Sequence, residues 1–423
     1  MTALHKTTFS LDHKALINLL VNKENILVVQ DLDGVCMGLV KDPLTRKIDI
    51  NYLKATQNFD GHFFVLTNGE HIGKRGVRGI VERAFEDIDL VKQQGYYLPG
   101  LAGGGVQWQD RYGNVSHPGV SDAEMAFLEA VPAKIEKSLR EFFQQHDCGF
   151  SSQELDKYIQ ATVLDNKVSP TVNLNVFHDV LTDSSVYAKL QQSMEKLTQD
   201  LLQEAQEKGL DNSFFVHFAP NLGRDEAGKE IIQPATENDS GTTDLQFMLR
   251  GAIKEAGVPY ILNHYYYLQT GNYPLGKDFN SRQAPQNKAE LLTLIRDNFD
   301  PEKMPTVIGV GDTVTSKAEE TDNGLIFRRG GSDRGFLELI QGMEQDFNKE
   351  NLILYIDSSA GEVRNRKPLK LNEDNTKVIE GMGDARDKND PLTINVAFPG
   401  GYQQYTQVFI EAAKRRREGK IYS

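Results

Sequence analysis

Cysteine is nearly absent from this chain: Cys36 and Cys148 are the two among 423 residues, which excludes a disulfide framework and favours a reducing compartment. Long apolar runs are missing as well. No stretch approaches the roughly 18 apolar residues of a membrane span, and the opening MTALHKTTFSLDHKALINLL lacks the uninterrupted apolar centre of a signal peptide. A soluble cytoplasmic protein with no membrane partner is therefore expected. Basic charge is in deficit, with 47 Lys and Arg against 60 Asp and Glu for a net −13. Phosphate backbones and anionic lipid surfaces attract basic proteins, so a nucleic-acid partner is not expected. Any anionic substrate must be met by local cations. The one dense basic run, Lys414 to Arg417, falls at the end of an expected helix, where it complements the helix dipole.

What is present reads as an α/β protein. Short apolar runs at 26–29, 63–66, 306–310, 352–356 and 393–398 suit buried parallel strands. Asp31 closely follows the first run, Thr67 ends the second and Asp312 the third. Ligands of open α/β sheets bind beyond the carboxyl ends of strands, so these three residues are expected to converge. About 240 residues separate the second run from the third, far too many for a loop. Gly103-Gly104-Gly105 and Asp110-Arg111-Tyr112-Gly113 read as turns. Beyond them Val186, Leu190, Met194, Leu197 and Leu201 recur at helical spacing before Gly209, and 214–218 reads as a strand. With length enough for two cores, the expectation is a parallel-sheet core in two parts, 1–115 and 281–423, around an inserted α/β cap at 116–280.

The chemistry starts at VVQDLDGVCM. On an extended segment residues two apart share a face, so Asp31 and Asp33 can address one site. Such a pair suits phosphoryl transfer, one carboxylate attacking phosphorus and the other protonating the leaving oxygen and then activating water. Clustered carboxylates also need a cation, and a hard oxygen-rich site suits Mg²⁺.

A strand running into DxDG resembles the first motif of the haloacid dehalogenase superfamily. Thr67 in FFVLTNGE matches that family's phosphoryl-binding hydroxyl, and TVIGVGDT resembles the motif whose strand delivers a metal-binding acid, here Asp312. The family's second acid stands four residues later, but position 316 is Ser. Gly331-Ser332-Asp333 and the apolar helix after it match the usual continuation, 21 positions after Asp312 instead of four. Asp333 is thus expected as the second metal acid, with a plain helix N-cap as the alternative. The intervening 314–330 is expected as an insertion beside the metal, its Arg328 and Arg329 either reaching substrate or facing solvent. The resemblance also implies a lysine near the start of a helix before the Asp312 strand. Lys288 in NKAELLTLI fits, and Lys254 in LRGAIKEAG is its rival.

Longer stretches, among them QDLDGVCMGLVKDPL, LPGLAGGGVQWQD, GTTDLQFMLRGAIKEAG and NVAFPGGYQQY, resemble the glucosylglycerol-phosphate phosphatases of salt-adapting photosynthetic bacteria. That resemblance implies hydrolysis of a small sugar phosphate to an uncharged osmolyte, with a functional link to the synthase that supplies it. Asn68, His71, Lys74 and Arg75, in the loop after Thr67, are the expected substrate ligands. Trp108, Asn221, Arg224, Asp225 and Lys229 are further possibilities. A general sugar-phosphate phosphatase of the trehalose or sucrose phosphate type, a phosphomutase and a non-catalytic sugar-phosphate sensor are the competing readings.

Overall fold

The computed structural model describes residues 3–40, 42–73, 75–219, 221–224, 230–236, 240–321, 324–363 and 366–421. The chain divides into two compact units, one formed by 1–71, 75–119 and 253–423 and the other by 72–74 and 120–252.

The larger unit is built on an eight-stranded sheet whose centre is Ile26–Gln30, flanked in parallel by Phe63–Leu66 and Thr306–Gly311. Leu352–Ile356 and Val396–Phe398 continue the parallel order beyond the Thr306 strand. Every residue of the three central strands is buried, as expected for a sheet covered on both faces. The pleat sorts their side chains: Val28, Val65, Ile308 and Leu354 enter one apolar cluster with Leu16, Tyr52 and Phe409, while Leu27, Phe64, Val307 and Ile353 enter the other with Ile261, Leu291 and Leu337. Helices therefore lie on both faces in three layers. The antiparallel edge, Gly100–Ala102, Gln107–Gln109 and Val115–Ser116, turns at the two expected positions.

The second unit carries a four-stranded antiparallel sheet, ordered Val163–Leu164, Thr171–Asn173, Asp244–Leu249, Phe214–Ala219. Helices Asp122–Gln145 and Ser184–Glu207 pack in this unit, the latter burying Leu190, Met194 and Leu201 ahead of Gly209 at φ +75°. The expected insertion, 116–280, overshoots this unit at its C-terminal end. Helix Lys254–Thr270 belongs to the large-sheet unit, because Ala256, Val258, Ile261, Leu262 and Tyr265 make it apolar nearly all round and it packs on the sheet. Among the described residues no helix is long and apolar enough to cross a membrane.

The insertion at 314–330 is a β-hairpin, Thr315–Thr321 against Gly324–Gly330. Arg328 pairs with Glu319 on the facing strand, and Arg329 lies 2.7 Å from Asp387. Both arginines are thus engaged within the hairpin and the loop that flanks it.

Candidate active site

The carboxyl ends of the central strands bring together residues distant in sequence. Asp31 follows its strand directly, its N–H donating to the Val310 carbonyl at 3.0 Å. Thr67 leaves the neighbouring strand and Asp312 the other, both buried. Oxygens of Asp31, Asp312 and Asp333 lie within 4.8 Å of one another. A cavity of about 160 Å³ opens here, lined by Asp31, Asp33, Thr67, Asn68, Lys254 and Arg366 among others.

Burial pushes the Asp31 carboxyl up to about 6, against the pull of Lys254 and with a further push from Asp333 and Asp33. Asp312 is driven further, to about 8, by burial and then by Asp333 and Asp31. Asp312 Oδ2 is buried without a hydrogen-bond partner, and its nearest cation, Arg366 Nε, is 3.9 Å away. Three converging buried carboxylates with an orphaned oxygen fit a hard divalent cation such as Mg²⁺.

Asp333 lies at the head of helix Arg334–Phe347 without capping it. Its Oδ2 instead accepts the N–H groups of Asp312 and Thr313, both at 2.9 Å, and its Oδ1 accepts Lys254 Nζ at 2.7 Å. Asp333 therefore braces the Asp312 turn from 21 positions away, across the hairpin.

Lysine is where the sequence reading is corrected. Lys288 is surface-exposed and donates to Glu338 at 2.8 Å, outside the cavity. Lys254 is buried, 3.0 Å from Asp31 Oδ1 and 2.7 Å from Asp333 Oδ1. Burial alone would lower its pKa, but the two carboxylates outweigh burial and raise it, so the ammonium stays charged.

The loop after Thr67 is also corrected in part. His71 is fully buried, its Nε2 on the Gly100 carbonyl at 2.9 Å and its Nδ1 facing the Gln109 amide at 3.3 Å. Burial holds its pKa down to about 4. A neutral imidazole enclosed by the sheet edge cannot serve as a substrate cation. Asn68 lines the cavity; Arg75 presents its carbonyl to Arg46. Lys74, Asp225 and Lys229 lie outside the described residues, as do the side chains of Asn221 and Arg224. Trp108 packs within the sheet unit against the tilted rings of Phe64, Tyr260 and His264.

Two cations went unforeseen. Arg46 Nε lies 2.8 Å from Asp33 Oδ1, and Arg366 donates to the Thr313 hydroxyl at 3.0 Å beside Asp312. Both sit in loops with no periodic pattern, so no spacing signals them. Cys36, near the aspartates, is no rival nucleophile, because burial and then Asp33 and Asp31 push its thiol far above neutrality.

Gly34 explains the last letter of DxDG. Its φ is +79°, and a Cβ there would lie 2.2 Å from Asp312 Oδ2. Gly34→Ala is expected to lower stability by about 1–3 kcal/mol through backbone strain and contact with that carboxylate. Phosphate release should fall at least about tenfold as Asp312 is displaced; thermal unfolding and steady-state assays would read the two effects.

Residues 25–413 match the family described as glucosylglycerol-phosphate phosphatase. A glucosylglycerol-phosphate phosphatase of Synechocystis sp. is 56% identical over 417 residues, spanning 98% of each chain. Among solved structures, the C-terminal domain of the C. albicans trehalose-6-phosphate phosphatase shares 10% identity at a TM-score of 0.42, over 97% of this chain and 99% of that one. The Aspergillus fumigatus trehalose-6-phosphate phosphatase shares 10% identity at 0.40, over 97% and 99%.

Proposed function

Because the chain belongs to the glucosylglycerol-phosphate phosphatase family, we propose that it hydrolyses glucosylglycerol 3-phosphate to glucosylglycerol and inorganic phosphate, in osmolyte synthesis for salt tolerance. The observation that carries the mechanism is the convergence of Asp31, Asp312, Asp333 and Lys254 at the ends of adjacent strands.

An Asp31 oxygen attacks phosphorus, the bond from phosphorus to the glycerol oxygen breaks, and Asp33 gives that oxygen a proton. Asp33 then takes a proton from the water that attacks the aspartyl phosphate, freeing Asp31 and inorganic phosphate. Thr67 and Asn68 supply hydrogen bonds to the phosphoryl oxygens from the cavity wall. Lys254 offsets the charge of Asp31 and holds it beside Asp333. Mg²⁺, held by Asp31, Asp312 and the Asp33 carbonyl with Asp333 in support, would neutralise phosphoryl charge during transfer.

The cavity, about 160 Å³, is smaller than the roughly 300–1,000 Å³ of ordinary ligand pockets. It suits a phosphoryl group, so recognition of the sugar falls to residues beyond this wall. Glucosylglycerol phosphate should have a specificity constant at least about tenfold above those of glycerol 3-phosphate and trehalose or sucrose phosphate. Chelation should abolish phosphate release and added Mg²⁺ restore it. Equal specificity constants across the panel would move the function to a general sugar phosphatase, and full activity in chelator would remove the metal.

A further inference from the structure

The Asp33 carboxylate is the one acid of the cavity outside the metal-fitting trio, and its two oxygens face different surroundings. Oδ1 is 2.8 Å from Arg46 Nε, an ion pair by distance in which the N–H is not aligned for a hydrogen bond. Oδ2 faces the Thr67 loop, 3.9 Å from where a Gly69 Cβ would stand; that same Cβ would lie 3.6 Å from the Thr67 hydroxyl. Arg46 is itself anchored, its NH1 donating to the Arg75 carbonyl at 3.2 Å. It immediately follows the short 3-10 helix Pro43–Thr45, which Asp42 caps through the Leu44 N–H. The side chains of Arg46 and Asp33 are 18% and 26% exposed, so the pair is partly shielded from water.

We propose that Arg46 is a positioning residue for leaving-group protonation, fixing one oxygen of Asp33 so that the other faces the phosphoryl cavity. The inference rests on the proposed role of Asp33 as the acid. A partly exposed aspartate without a partner samples several rotamers, and a misplaced acid loses most of its catalytic advantage. The planar guanidinium, tied at its far end to the loop after Thr67, restricts that freedom in a way a flexible ammonium does not. Among the described residues, the polar partners of Arg46 are the Asp33 carboxylate and the Arg75 carbonyl, not the metal-fitting trio or Thr67. In the step it serves, the electron pair of the breaking phosphorus–oxygen bond stays on the glycerol oxygen, which receives the Asp33 proton as Asp31 bonds to phosphorus.

Leaving-group dependence tests the idea. An alkyl phosphate needs the proton, whereas p-nitrophenyl phosphate releases a stable anion without it. Arg46→Met, Arg46→Lys, Asp33→Asn and the Arg46→Met/Asp33→Asn double variant would be compared with the wild type at saturating Mg²⁺, reading phosphoenzyme formation in single turnover. Arg46→Met is expected to slow glucosylglycerol phosphate about 10–100-fold with KM within about twofold, and to leave p-nitrophenyl phosphate within about threefold. Arg46→Lys should recover part of the loss, and the double variant should be no slower than Asp33→Asn. Equal losses on both substrates, a raised KM with normal turnover, or additive losses would overturn the inference and make Arg46 a phosphate ligand or a fold element. If Asp33→Asn shows the leaving-group dependence and Arg46→Met does not, this inference alone fails. If Asp33→Asn lacks it, the acid assignment fails too. Thermal unfolding of each variant separates loss of fold from loss of positioning.

Discussion

Asp31→Asn is expected to lower phosphate release by on the order of 10⁴-fold or more, as removal of a covalent nucleophile does. The exchange keeps the shape of the side chain and deletes one negative charge from a site where burial already pushes the Asp31 carboxyl up to about 6. Stability should therefore change little, within about 1–2 kcal/mol, since Lys254 keeps its 2.7 Å contact with Asp333. Three measurements belong together. Steady-state phosphate release should disappear, thermal unfolding should stay near wild type, and acid-quenched mass spectrometry should find a phosphoryl adduct on the wild-type peptide containing Asp31 but none on the Asn variant. Activity within about tenfold of wild type in a well-folded Asn variant would rule out attack by Asp31.

Asp31, Thr67 and Asp312, which the sequence reveals most directly, share one physical property: each sits where a buried strand ends. A short β-branched apolar run such as Ile26–Gln30, too short for a buried helix and bounded by polar residues, suits a strand enclosed on both faces, which places the acid just after it at the sheet's carboxyl edge. The same logic locates Thr67 and Asp312. Asp333 could be found because the hairpin between the acids changes chain length but leaves the strand end and the helix start intact. Arg46 and Arg366 offered no such handle. Their positions depend on loop paths, and nothing in the spacing of 40–49 or 357–369 tells which arginine turns inward. His71 misleads for the opposite reason: a polar residue in a loop after a catalytic strand suggests ligand binding, while the Gly100 carbonyl and the Gln109 amide claim it for the sheet edge.

The choice between Lys254 and Lys288 shows what a local pattern leaves out. Each lysine opens a helix ahead of the Asp312 strand, and the nearer one is on the surface. The signal that separates them lies in the helices: Lys254–Thr270 is buried nearly all round, whereas Lys288–Asn298 buries only Leu291 and Ile295. A lysine at the head of an enclosed helix is carried into the interior, where it must meet an anion.

Lys254→Met consequently carries a large expected effect. The methionine fills a similar volume but leaves Asp31, Asp312 and Asp333 without their buried ammonium, and removing one partner of a buried ion pair costs about 3–5 kcal/mol. Loss of the cation also raises the Asp31 carboxyl pKa further, because Lys254 is the charge that pulls it down, so a proton occupies the nucleophile in neutral solution and attack is suppressed. Turnover is expected to drop at least about 10³-fold at saturating substrate and Mg²⁺. Lys288→Met, by contrast, removes only an exposed pair with Glu338, worth about 0–1 kcal/mol, and should leave turnover within about twofold. Denaturant unfolding with and without Mg²⁺ would show whether the metal offsets part of the Lys254→Met loss, because a bound dication partly replaces the missing positive charge. If Lys288→Met proved the more damaging of the two in both turnover and stability, the assignment of Lys254 to the centre of the site would be wrong.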